Sequence, residues 1–154
     1  MTERILIVDD EQIIRESLQF VLKKEKYDVE EAGNGREALE KHLAKPFDLI
    51  ITDLEMPELR GIEFLEQVRQ RTPESAVFII TAYGSVETAI AALRSGAYDY
   101  ILKPIDFDDL IIRVKKVFDY RTLLKENSLL RQELNRTFDF GHIIGQSQIG
   151  RAHV

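Results

Sequence analysis

"ILIVDDE", residues 5–11, sets four consecutive apolar residues directly against three consecutive acids. A strand exposed on one face alternates apolar and polar residues, so an unbroken apolar run reads as a strand buried on both faces. Such strands belong to parallel sheets covered by helices on either side. The acids that end the run pose a separate problem. Each carboxylate raises the cost of ionising its neighbours, so the cluster calls for protonation or for a cation.

The same apolar pattern recurs in "DLIIT" (48–52), "AVFIIT" (76–81) and "YDYIL" (98–102). "YDVEEA" (27–32) instead alternates apolar and charged residues, as an edge strand exposed on one face would. Between these runs, helical spacing groups Ile14, Leu18, Val21 and Leu22; then Ala38, Leu39 and His42 or Leu43; then Leu65 and Val68; then Ala89, Ile90 and Leu93. Five strands alternating with helices predict an α/β fold, a doubly wound (βα)5 sheet. Right-handed crossovers favour the order 2-1-3-4-5, with functional groups at the carboxyl ends of the strands.

From about Asp106 the last helical pattern runs on to the region of Thr137–Gly141, which predicts an extended C-terminal helix. Tyr120, Leu123, Asn127, Leu130 and Leu134 recur at three- and four-residue steps, the stripe of a coiled-coil dimer seam with a polar residue at one position. A solvated helical tail is the alternative. The expected division is 1–120 for the sheet domain, 121–137 for a linker helix, and 138–154 for a segment of different character.

The chain has 154 residues, 44% of them hydrophobic and 31% charged, enough for one domain with a full core plus an extension. Its net charge of -6 argues against direct binding to nucleic acid or to an anionic membrane. With no cysteine, disulfides, thiolate metal sites and cysteine nucleophiles are excluded. No apolar run reaches membrane-spanning length and no signal-peptide pattern opens the chain, so a cytoplasmic protein is expected.

In the predicted order, strands 1 and 3 are neighbours, and their carboxyl ends bring together Asp9, Asp10 and Asp53 of "IITDLEMP". An open site lined by carboxylates suits Mg2+, which binds through a few acids plus a phosphate and retains water. Thr81 ends strand 4 with a hydroxyl, and Lys103 ends strand 5 with an ammonium. A carboxylate nucleophile, a divalent metal, a hydroxyl and a cation make a phosphoryl-transfer site, with Asp53 attacking and an aspartyl phosphate as product.

Residues from about Ile5 to Leu124 resemble the bacterial two-component response-regulator receiver domain, with its CheY-like, flavodoxin-like fold. "ILIVDDE", "LIITDLEMP" and "TAYGSVETAIAALRSGAYDYILKPID" carry the likeness. The resemblance implies that Asp53 accepts the phosphoryl group from a histidine kinase. It further implies that Asp10, Asp53 and the backbone carbonyl of Glu55 ligate Mg2+, with Asp9 acting indirectly or through water. Thr81 and Tyr100 would be the switch pair, Lys103 the phosphate-facing lysine, and Lys103–Pro104 a cis peptide. Glu55 and Tyr83 would tune the lifetime of the acyl phosphate. "MPELRG" (56–61) departs from the family, with Arg60 where an acid often precedes the glycine.

The stretch 81–106 is most similar to receivers of the nitrogen-regulatory-protein-C class, which control sigma-54-dependent transcriptional activators. "FDFGHIIGQS" (138–147) is similar to the start of the AAA+ ATPase module of that class, yet no G-x-x-x-x-G-K-[ST] phosphate loop occurs. Residues 138–154 are therefore expected to be the start of that ATPase module or an appended tail, and the chain is not expected to turn over an external substrate. Its expected partners are a histidine kinase, a second copy of the chain, and the ATPase module of the full-length protein.

Three rival readings fare worse. A dinucleotide-binding sheet would need a glycine-rich turn after strand 1, where this chain has Asp-Asp-Glu. An aspartyl-nucleophile phosphatase would need an acid two residues after Asp53 poised over a leaving group; Glu55 stands there, but no cap follows to enclose a substrate. A dimerising scaffold without chemistry would not need the complete acid, hydroxyl and lysine set. His42, His142 and His153 lack metal-ligand spacing and read as incidental.

Overall fold

The computed structural model describes residues 2–55, 61–82, 84 and 86–141, with side chains through 136. Strands and helices alternate: β1 (Arg4–Val8), α1 (Gln12–Lys24), β2 (Asp28–Ala32), α2 (Gly35–Ala44), β3 (Leu49–Asp53), α3 (Gly61–Arg71), β4 (Ala76–Thr81), α4 (Val86–Arg94), β5 (Asp99–Leu102) and α5 (Phe107–Gly141). The five strands form one parallel sheet in the order β2-β1-β3-β4-β5, as the sequence predicts. Two compact units, Met1–Arg113 and Val114–Val154, divide the chain inside α5; the boundary expected after residue 120 lies in the same helix.

Because strand side chains alternate, the central strands contribute two apolar rows. Leu6, Val8, Ile50, Val77 and Ile79 join Ala38 of α2, Phe64, Leu65 and Val68 of α3, and Ala92 of α4 in one core cluster. The opposite row of Ile5, Ile7, Leu49, Ile51, Phe78 and Ile80 is also buried, and α1 packs on β1 and β2 with Leu18 and Leu22 inside. Each such aliphatic side chain contributes about 1.5–3 kcal/mol by leaving water, so the inner strands need no polar contact to hold their register.

The edge strand β2 departs from clean alternation. Glu30 and Glu31 are both half-buried, because Arg4 pairs with Glu30 at 2.8 Å and Arg15 with Glu31 at 2.9 Å. Helix α4 corrects a second expectation: it buries Ala92 alone, while Ile90 and Leu93 are more than 40% exposed. The helix carries apolar residues most of the way round, so spacing does not select a face; the small Ala92 lets the backbone lie close to the sheet.

At His42 the helical spacing left a choice open. The histidine is fully buried and settles the choice with Leu43, which lies outside. Its Nδ1 accepts from the backbone N–H of Phe47 at 3.1 Å, so the ring proton sits on Nε2, 2.7 Å from the Thr72 hydroxyl. Thr72 in turn donates to the Val68 carbonyl at 3.2 Å, and Ser75 donates to the Phe47 carbonyl at 2.7 Å. The imidazole also stacks on the Phe47 ring. His42 thus ties the end of α2 and the end of α3 to the segment entering β3.

Candidate functional site

Four of the expected residues meet at the carboxyl edge of the sheet. The extended backbone of β1 and β3 delivers Asp9 and Asp53 side by side, since Val8 pairs with Thr52. Carboxylate oxygens of Asp9, Asp10 and Asp53 lie within 4.8 Å of one another, with Asp9 and Asp53 buried and Asp10 exposed. Each buried acid is anchored in the same way. The Glu11 N–H donates to Asp9 Oδ1 at 2.9 Å and the Glu55 N–H to Asp53 Oδ1 at 3.1 Å, turns in which the side chain caps the amide two residues on.

Lys103 takes the other oxygens. Its Nζ donates to Asp9 Oδ2 at 2.9 Å, to Asp53 Oδ2 at 3.1 Å and to Glu11 Oε2 at 3.3 Å. The peptide Lys103–Pro104 is cis, as expected, and the Lys103 N–H donates to the carbonyl of Thr81 at 2.9 Å. Burial by itself would lower the lysine's pKa; its hydrogen bonds to Asp9 and Asp53 and their charges outweigh that and hold the ammonium firmly protonated. Burial raises the Asp9 pKa above the usual carboxylate range, and the neighbouring Asp53 adds to this. The Glu11 amide and Lys103 oppose the rise. One ammonium therefore relieves part of the repulsion that the sequence raised at its first acidic run.

Thr81 ends β4 fully buried, one position beyond the Ile80 that pairs with Asp53. Tyr100 is half-buried against the core cluster, and its hydroxyl lies 3.0 Å from the Thr88 hydroxyl on α4. Gly61 packs directly against the end of β3. A Cβ there would come within 2.8 Å of the backbone of Asp53 and Leu54, so only glycine lets α3 start this close to the end of β3. Glu55 is exposed beside Asp53. Tyr83, Arg60, His142 and His153 lie outside the described residues.

Three residues without a role in the sequence reading join this region: Glu11 on Lys103, Thr88 on Tyr100, and Arg15, whose Nη1 donates to the Asp9 carbonyl at 2.7 Å. Glu11 stood in the acidic run and was legible as charge. The other two contacts join separate elements and left no local pattern to read.

The donor set is all oxygen, with two buried carboxylates and one facing solvent, and this fits Mg2+ rather than a softer metal. A 2-1-3-4-5 sheet with acids, a threonine and a lysine on its carboxyl edge defines the CheY-like class of α/β proteins. A receiver domain protein from Methanospirillum hungatei shares that fold with a TM-score of 0.77, at 34% identity over 79% of this chain and 98% of its own. Residues 5–115 match the response regulator receiver domain family, and the chain belongs to it. Regulatory protein AtoC of Escherichia coli is 38% identical over 94% of the chain, which spans 31% of AtoC's length. The beryllofluoride-activated NtrC4 receiver domain dimer is similar at a TM-score of 0.73 and 36% identity, over 77% of this chain and 98% of that one.

Proposed function

We propose that this chain is the phosphorylation switch of a sigma-54-dependent transcriptional activator, taking a phosphoryl group onto Asp53 from a histidine kinase. The observation that carries the reading is the Asp9, Asp10 and Asp53 cluster with Lys103 bridging its two buried acids. In the transfer, a carboxylate oxygen of Asp53 forms a bond to phosphorus as the phosphorus–nitrogen bond of the donor's phosphohistidine breaks. The imidazole leaves with the electron pair and takes up a proton. Asp10, Asp53 and the Glu55 carbonyl would hold Mg2+, with Asp9 contributing indirectly or through water; the ion would supply positive charge for the transferring group. Lys103 supplies the rest, exchanging carboxylate contacts for phosphoryl oxygens. The test is intact mass after incubation with Mg2+ and acetyl phosphate. One added phosphoryl group, removed by hydroxylamine as an acyl phosphate requires, is expected; no addition from either acetyl phosphate or a phosphorylated kinase overturns the reading.

The switch follows from the new charge. Phosphoryl oxygens on Asp53 draw the Thr81 hydroxyl toward them, and Tyr100 gives up Thr88 to fill the space, which remodels the face of α4, β5 and α5. This is a population shift driven by contacts that one state alone makes. Thr81→Ala should still be phosphorylated, while amide NMR shifts in α4 and β5 change far less on phosphorylation than in wild type. A full wild-type response in that variant would sink the mechanism.

Output is proposed to run through α5 as a homodimer. Tyr120, Leu123, Leu130 and Leu134 are each more than half exposed on this helix, with Asn127 among them. Paired across two chains, the leucines would be buried and Asn127 would set a parallel register. That the NtrC4 receiver domain is a dimer supports pairing of two copies. Light scattering should give twice the chain mass for wild type and the monomer mass for Leu123→Asp with Leu130→Asp; a wild-type monomer with and without phosphorylation counts against it. In the whole protein this dimer would govern the ATPase module. No helix among the described residues is long and apolar enough to cross a membrane.

A further inference from the structure

Successive side chains of an extended strand point to opposite faces, so Asp9 and Asp10 could not both reach Asp53 if β1 simply continued. The backbone turns between them. Asp9 keeps its N–H in the ladder, donating to the Ala32 carbonyl at 3.2 Å, but its carbonyl has left the sheet. That carbonyl belongs to the peptide joining Asp9 to Asp10, and its direction sets where Asp10 points. It sits at a buried residue, where an acceptor left without a donor is unfavourable.

Arg15 takes it. The guanidinium Nη1 donates to the Asp9 carbonyl at 2.7 Å while Nε pairs with Glu31 of β2 at 2.9 Å. The side chain is only 16% exposed. It rises from the first turn of α1, where its own N–H bonds to the Glu11 carbonyl at 3.2 Å. One arm of the planar fork holds the peptide carbonyl while the other is anchored on β2 through Glu31.

We infer that Arg15 is a positioning residue of the acidic pocket, fixing the Asp9–Asp10 peptide so that both carboxylates converge on Asp53. Its side-chain bonds go to the Asp9 carbonyl and to Glu31, so it acts through the turn. Outer partners of ligating groups commonly change metal affinity by about 10–100-fold. The inference rests on the proposed Mg2+-dependent receiver chemistry.

The test is Mg2+ affinity by calorimetry, with the melting temperature of the metal-free protein and the rate of acetyl phosphate uptake against Mg2+ concentration. Arg15→Met is expected to weaken Mg2+ about 10-fold or more, with the uptake rate largely recovered at saturating Mg2+. Arg15→Lys keeps the charge but cannot make both bonds, and Glu31→Gln keeps Arg15 but loosens its fork. Both should weaken Mg2+ by several-fold at most, and Glu31→Gln serves where Arg15→Met does not fold. Unchanged affinity in all three, or a lowered melting temperature alone, overturns the inference and assigns Arg15 to stability. Tighter Mg2+ binding in Arg15→Met, with Arg15→Lys unchanged, also overturns it, because that is what removing a positive charge beside a cation site does by itself. If wild type itself neither binds Mg2+ nor takes up phosphate, the proposed function has failed and this inference with it.

Discussion

Asp53→Asn should take up no phosphoryl group from acetyl phosphate, and Lys103→Met should take it up at least about 100-fold more slowly than wild type, the scale on which loss of one preorganised charge-stabilising donor is felt. The amide keeps the shape of the side chain and can still accept from the Glu55 N–H, so the site stays assembled while its nucleophile is lost. Lys103→Met keeps the nucleophile and removes the ammonium that spans Asp9, Glu11 and Asp53. The two variants should also differ in stability without Mg2+. Asp53→Asn deletes one of several mutually repelling charges and should raise the melting temperature. Lys103→Met leaves the buried Asp9 and Asp53 without their shared cation and should lower it. Mass spectrometry over time and thermal melts check both halves; equal melting shifts of the same sign would mean that the ammonium does not compensate the cluster.

His42→Ala should destabilise the protein by roughly 2–4 kcal/mol, because it opens a cavity beside Phe47, strands the buried Phe47 N–H and takes one of the two hydrogen bonds of the Thr72 hydroxyl. The histidine also gives stability a pH dependence. Burial, with a smaller push from Arg4 and against the pull of Glu74, lowers its pKa below the usual 6.5 in the folded chain. Below about pH 6.5 the unfolded chain binds a proton that the folded chain refuses, so stability falls as the pH drops, by up to about 1.4 kcal/mol per unit. The fall levels off once the pH passes below the depressed folded value, and above 6.5 this group contributes no slope. Denaturant titrations at pH 7 and pH 5.5 should show the loss in wild type and a smaller one in His42→Leu. Parallel losses in the two would mean that the slope belongs to other groups.

These two residues mark how far the sequence could be read. Asp53 was legible because its strand is a short apolar run that stops on an acid, and a parallel sheet places all such ends on one edge. The acidic cluster and the lysine follow from that regularity once right-handed crossovers set the strand order. His42 was marked only in part: helical spacing placed either it or Leu43 on the inner face, and its partners Phe47 and Thr72 lie on different connections, so nothing local chose between the two. Ile90 and Leu93 misled for the opposite reason, since on a helix apolar nearly all round the spacing is satisfied by more than one face.

What the sequence determined by itself was therefore the class of fold and the chemistry of its edge: five strands, their order, and acids, hydroxyl and ammonium at the strand ends. Those depend on hydrophobic period and on chain topology, both written along the chain. Only the tertiary structure decided which polar groups hold the rest in place: Lys103 shared among three carboxylates, Arg15 on the Asp9 carbonyl, Thr88 on Tyr100 and His42 between two helix ends. The physical reason is that burial is collective and tolerant of which neighbour supplies it, whereas a hydrogen bond needs two named atoms within about 3 Å, and that meeting is fixed only when the packed elements bring distant residues together.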